Sequence, residues 1–200
     1  MTGSQQTPTR ERILDAAKRL VHRQGLASTS ISDVVEAADV RRGTLYHYFD
    51  SKHELAIALI RRAGENFLRF LRGSLVGDTP RDQLNGFLDA AYEKKRGECF
   101  VGGCIFGNFA LETSDTDSEL AAEVQDLFDE WAHILESIIE KGQQAGQFRR
   151  DLPPATLAQH IVIVLEGGLM QARLRKEEKM FRRSIQCIKT FLEPAHKSDD

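Results

Sequence analysis

The residues of this chain best placed to do chemistry stand in one uninterrupted segment, Arg41, Arg42, Gly43, Thr44, Leu45, Tyr46, His47, Tyr48 and Phe49. Two guanidiniums, a threonine hydroxyl, two phenols and an imidazole make a donor and acceptor set suited to base edges and phosphates. Arg41 or Arg42 can span O6 and N7 of a guanine or clasp a phosphate, and Thr44 and Tyr46 can meet thymine methyl groups or the DNA backbone. Sets that break bonds are not evident. The six histidines (His22, His47, His53, His133, His160 and His196) are scattered, and there is no Gly-rich phosphate loop and no Gly-x-Ser-x-Gly elbow. Cys99, Cys104 and Cys187 are odd in number and lack metal-ligand spacing, which argues against a disulfide framework and for a reducing, cytoplasmic setting. Neither an enzyme nor a bound metal or other cofactor is expected.

The segment needs elements to hold it. Ile13, Leu14, Ala17, Leu20 and Val21 recur at helical spacing, with Arg10, Arg12, Lys18, Arg19 and Arg23 on the other face, and Gly25 stops that helix. Ser30-Ile31-Ser32-Asp33 has the form of a capping box, so a second helix begins at about Ile31 with Val34, Val35 and Ala38 on its apolar face. After Asp39 and Val40 comes the chemical segment, at the spacing of a helix-turn-helix whose second helix enters the major groove. Leu45 and Phe49, four apart, turn inward; Arg41, Arg42, Thr44, Tyr46, His47 and Tyr48 are left outward. Ser30 and Ser32 lie at a helix N-terminus, where free N–H groups favour a phosphate. Ser51-Lys52-His53-Glu54 repeats the capping pattern and starts a longer helix.

From Thr9 to about Leu59 the chain resembles the DNA-binding domain of the tetracycline-repressor (TetR) family of bacterial regulators, above all in Gly43-Thr44-Leu45-Tyr46-His47-Tyr48-Phe49 followed by Ser51-Lys52. The resemblance implies a homodimer on double-stranded palindromic operator DNA, released by a small-molecule effector. It also implies phosphate-holding roles for Tyr48 and Lys52.

Charge and length agree with that. The net charge is −3, yet residues 1–62 hold 10 Lys and Arg against 7 Asp and Glu, while the rest holds 17 against 23. The basic excess sits at the end that carries the motif, which is what local phosphate contacts require. Apolar runs such as Ile161 to Leu165 fall far short of the ~18 residues of a membrane span, and no membrane partner is expected. The expected division is an N-terminal arm (1–8), a helix-turn-helix domain (9–52), a ligand-binding and dimerisation domain (53–193) and a C-terminal tail (194–200). The fold class is all-α with about nine helices.

The eighth helix, from Pro153 and Pro154 to about Arg175, is apolar over most of its circumference and must be covered on all sides. The last helix offers a complementary stripe. As in the resembled family, the two are expected to pair with their copies, giving Leu157, Ile161, Val164, Leu165, Gly168, Phe181, Ile185, Ile188 and Phe191 as interface candidates, with Gly167 and Gly168 permitting close approach. An ordinary core helix in a monomer is the alternative.

The effector domain offers Phe67, Phe70, Phe87, Tyr92, Phe106, Phe109 and Trp131 as an aromatic set of the kind that lines ligand pockets, or simply as core. His160, Glu166 and Arg173 on the apolar eighth helix can pair with one another, bridge the dimer or meet a ligand. Gly102-Gly103-Cys104-Ile105-Phe106-Gly107-Asn108 resembles a Gly-Cys-x-x-Gly-Asn motif of a subgroup of the family. A thiol at a helix N-terminus has its thiolate stabilised, so Cys104 is a candidate redox or electrophile sensor, or else an inert buried filler. A helical interaction protein that ignores DNA is the remaining alternative, and it leaves the segment 41–49 unexplained.

Overall fold

The computed structural model describes residues 8–194; the expected arm before Pro8 and the tail after Pro194 lie outside the described residues. Among the described residues there are nine helices and no strand: α1 (Thr9–Gln24), α2 (Ile31–Ala38), α3 (Arg42–Tyr48), α4 (Lys52–Ser74), α5 (Pro80–Gly97), α6 (Ile105–Thr113), α7 (Ser118–Gln144), α8 (Pro154–Arg175) and α9 (Glu178–Phe191). They form two compact units. One holds the chain up to Gly64 together with Ile105–Val124, the other Glu65–Cys104 together with the chain from Gln125 on.

In the first unit the helix ends follow the local chemistry. The Ser30 hydroxyl accepts from the Asp33 N–H at 3.1 Å while the Asp33 carboxylate accepts from the Ser30 N–H at 2.8 Å, the reciprocal box that starts α2. Asp39, at φ 51°, closes α2 in the left-handed conformation and turns the chain into α3. At α4 the Ser51 hydroxyl accepts from the Glu54 N–H, but the Glu54 carboxylate reaches one residue further back than the expected box, to the Asp50 N–H at 2.6 Å. Ile13, Leu14, Ala17, Val34, Leu45, Phe49, Leu55 and Leu59 form the core of this unit.

The second unit is built on α8 and α9, which run antiparallel, with Ser184 opposite Gly168 and Phe191 opposite His160. Leu157, Ile161, Leu165, Phe181, Ile185 and Ile188 are all buried between these helices and Leu84, Phe87, Leu88 and Leu135. This corrects their expected place at a dimer interface: they are core of one chain, because α9 of the same chain covers that side of α8. Gly168 also belongs inside, since a Cβ there would come within 2.1 Å of Ser184 Oγ. Val164 and Phe191 are half-buried and pack against the same core. The side of α8 left uncovered carries Ile163, Met170 and Leu174, all more than half exposed, with Gly167 open on the same line. Three residues outside the regular helices, Phe100, Phe148 and Leu192, complete the core.

Gly168→Ala is expected to destabilise the fold by about 1–3 kcal/mol through forced separation of α8 and α9. Gly167→Ala is expected to leave the isolated chain unchanged or slightly more stable, since nothing lies within 4 Å of its added methyl. Urea unfolding of both variants checks the pair, and equal losses would contradict this packing.

Candidate nucleic-acid interface

Helix α3 is seven residues long and has no side-chain cap at Arg41. It is held from beneath by Leu45 and Phe49, 0% and 2% exposed. That anchoring leaves Arg41, Arg42, Tyr46, His47 and Tyr48 exposed and Thr44 half-buried. The Arg42 guanidinium lies over the Tyr46 ring at 5.7 Å, and the His47 and Tyr48 rings meet edge to face at 5.1 Å. The outward row is thus arranged before any DNA arrives. Ser30 and Ser32 are exposed at the start of α2, and Lys52 Nζ donates to the Ala27 carbonyl at 3.4 Å, beside the α1–α2 turn. The Ser30 N–H and hydroxyl hold the Asp33 carboxyl below its ordinary value, so this cap is present above the usual aspartate range and is lost as pH falls through the lowered value.

Three supporting residues were not legible as such. Arg12, on the basic face of α1, donates to the Ala38 and Asp39 carbonyls at 2.7 and 2.8 Å and so fixes the turn between α2 and α3. Arg62 pairs with Glu11 at 2.9 Å and with Asp15, tying α4 to α1. Glu112 of α6 accepts from the Ala27 N–H at 2.9 Å, and Gly25, at φ 86°, leaves room for its carboxylate, which a Cβ would meet at 2.5 Å. His53 Nε2 faces Asp117 at 3.1 Å, and Arg61 pairs with Glu123. The polar face of α1 signals Arg12 only as a cation, and no local pattern announces a partner 85 residues away.

The effector candidates divide. Phe106 and Phe109 are buried on α6 in the first unit. In the second unit Phe87 and Trp131 are buried, and Phe67 and Phe70 are half-buried. Tyr92 is half-buried too, and its hydroxyl accepts from Arg182 Nε at 3.2 Å, with the guanidinium over its ring at 5.1 Å. The trio on α8 is not one site. His160 packs on Phe191 with ring centroids 4.4 Å apart, and it stands about 20 Å along the helix from Arg173. Glu166 instead meets Cys104: burial pushes its carboxyl above the ordinary value, while a hydrogen bond from the thiol and the charge of Lys95 draw it down. Lys95 Nζ donates to the Gly103 carbonyl at 3.1 Å, and Arg173 lies so close that a Cβ on Gly103 would come within 3.0 Å of its Cδ. Gly102 and Gly103 both take positive φ, 78° and 69°, immediately before Cys104 and the first residue of α6. Among the described residues no cluster of three metal-ligating side chains is present, and no helix is long and apolar enough to cross a membrane.

A capped α2, a locked turn and an anchored α3 with a basic and aromatic outer row define a helix-turn-helix DNA-binding regulator. The chain belongs to the tetracycline-repressor family: residues 13–59 match the bacterial regulatory proteins of the tetR family, and residues 80–188 match the tetracyclin repressor-like C-terminal domain. It is 23% identical over 191 residues to the HTH-type transcriptional repressor DhaR of Mycobacterium sp. (strain GP1), covering 94% of each chain. It is 29% identical to the transcriptional regulator AcuR of Cereibacter sphaeroides over 76% of this chain and 70% of that protein. The solved structure of a TetR transcriptional regulator from Chloroflexus aurantiacus superposes with a TM-score of 0.83 at 30% identity, over 92% of this chain and 93% of that one. The regulatory protein TetR from Rhodobacter sphaeroides shares the fold, with a TM-score of 0.87 at 22% identity over 93% and 100%.

Replacing Glu166 by Gln should raise the melting temperature at neutral pH, where charging the enclosed carboxyl opposes folding. Because its folded value is raised, that opposition begins above the ordinary glutamate range and is absent below it. The two proteins should therefore converge as pH falls past that range, and a constant difference at all pH values would contradict the assignment.

Proposed function

We propose that the chain is a repressor that grips a palindromic operator as a homodimer and lets go when a small effector binds. The outward row of α3, standing on a buried Leu45 and Phe49, is the observation that carries this reading. Arg41 and Arg42 take base edges or phosphates, Thr44, Tyr46 and His47 complete the readout, and Tyr48 and Lys52 hold phosphates. Ser30 and Ser32 offer a second phosphate position at the start of α2.

The uncovered face of α8 supports the dimer. Ile163, Gly167, Met170 and Leu174 follow one another at intervals of four, three and four, the seam of a helix that packs on another helix. Three large exposed apolar side chains on one line favour an interface with a second copy over solvent. A two-fold pair presents its reading helices about 34 Å apart, one turn of DNA.

Release follows by population shift: the effector must bind the DNA-incompetent dimer better than the competent one. The second unit, with its aromatic residues, is where we place the effector. The Gly-Cys-x-x-Gly-Asn subgroup supplies a second reading, in which Cys104 adds to an electrophile and Glu166 takes the thiol proton. The contact between these two side chains favours it. Cys104 directly precedes α6, and α6 carries Glu112 onto the Ala27 N–H, so a displacement at the thiol has a continuous path to the α1–α2 turn.

Tyr48→Ala and Lys52→Ala should weaken binding to every DNA sequence alike and flatten the salt dependence, by about one unit of logarithmic slope for Lys52. Arg42→Ala should in addition relax preference at one position per half-site, a loss of about 1–3 kcal/mol against the preferred base. Fluorescence anisotropy across salt and sequence variants reads both, and an unchanged preference would remove Arg42 from the readout.

A further inference from the structure

Among the described residues one buried side-chain polar atom has no hydrogen-bond partner: the indole Nε1–H of Trp131 on α7, a residue only 4% exposed. A buried donor without an acceptor is unfavourable, and native proteins retain one where a ligand or water is to meet it. Three aromatic rings pack around it. Phe67 of α4 lies 4.8 Å from the Trp131 ring centroid at 72°, Phe87 of α5 lies 6.4 Å away at 82°, and Phe128 lies 6.0 Å away at 19°. The inner side is closed, with Phe87, Leu71 and Leu135 almost fully buried. On the outer side Phe67 and Phe128 are only half-buried, so that side is the less enclosed one.

We propose that Trp131 Nε1–H is the orienting donor of a binding site between α4, α5 and α7, and that its ligand is an uncharged planar aromatic compound with a carbonyl or similar acceptor oxygen. The reading rests on the second unit being the effector-binding unit. An acceptor is required because the indole nitrogen can only donate. Charge is disfavoured because an ion among these rings would lose its hydration without gaining a counter-ion. Arg72 of α4 and Glu130 of α7 are already paired with each other at 2.6 Å. One donor in an apolar enclosure is also how ligand sites set orientation, the rings contributing most of the contact area.

The chain has one tryptophan, so a 15N-edited spectrum of the full protein contains a single indole N–H resonance that reports on this group alone. Acetophenone and coumarin are the probes, and ethylbenzene is the control of similar shape without an acceptor. In the free protein the indole proton should show no contact with bound water. Both carbonyl compounds should shift it downfield and slow its exchange, and ethylbenzene should bind about tenfold or more weakly, the loss expected for one unmade hydrogen bond. Trp131→Phe should keep the melting transition and erase the preference for the carbonyl probes. A bound water on the indole of the free protein, equal binding of acetophenone and ethylbenzene, or no shift with either carbonyl probe would each overturn the site. DNA affinity measured on the same samples separates the two claims: a bound carbonyl probe that leaves it unchanged contradicts the effector role and leaves the site standing.

Discussion

A helix of seven residues cannot hold itself in water, where even favourable sequences need roughly 12–15 residues to be marginally helical. Helix α3 therefore exists only because Leu45 and Phe49 are buried beneath it, and the geometry of its outward row is inherited from that burial. Everything around α3 works to keep those two side chains in place. The Ser30 and Asp33 box starts α2, Asp39 turns it, Arg12 binds the carbonyls at the turn, and the Arg10 guanidinium lies 5.3 Å from the Phe49 ring centre. Rigidity here matters for function. Side chains that must reach base edges at fixed spacing gain discrimination only if their backbone does not have to be ordered on binding.

In the second unit burial governs α8. An all-round apolar helix has more than one side to cover, and α9 of the same chain covers one of them through close approach at Gly168. The line of Ile163, Gly167, Met170 and Leu174 is what remains, and the proposed pairing of two copies is its physical answer. The first unit, for its part, includes α6 and the first turns of α7, held by Glu112 on Ala27, Asp117 on His53 and Glu123 on Arg61. The helix that follows Cys104 directly, α6, thus belongs to the first unit.

Local chemistry made much of this visible in the sequence. The caps at Ser30 and Ser51, the stop at Gly25, the inward pair Leu45 and Phe49, and the extent of α8 all follow from short-range rules, and the structure places them within a residue or two of expectation. Long-range pairing was not visible. Nothing in the sequence near Glu112 points to Ala27, and nothing in Arg12 separates a cation in solvent from one clamped on two carbonyls. Periodicity does not say which side of α8 its own α9 takes, and all nine interface candidates are core of one chain or packed against that core. Glu166 and Arg173 share a face by spacing, yet Glu166 meets the thiol of Cys104 and Arg173 lies against Gly103. The Trp131 donor was invisible for the same reason: a missing partner is a property of the packed neighbourhood, not of any motif.

The central claim is that a symmetric pair of anchored α3 helices reads DNA sequence. Selection of bound fragments from random duplex DNA by the purified full chain, followed by sequencing, tests it most directly. An inverted repeat with half-sites about 10 base pairs apart, centre to centre, bound by an even number of chains, is the expected enrichment. Enrichment of a single unrepeated site, or of no sequence at all, would contradict it.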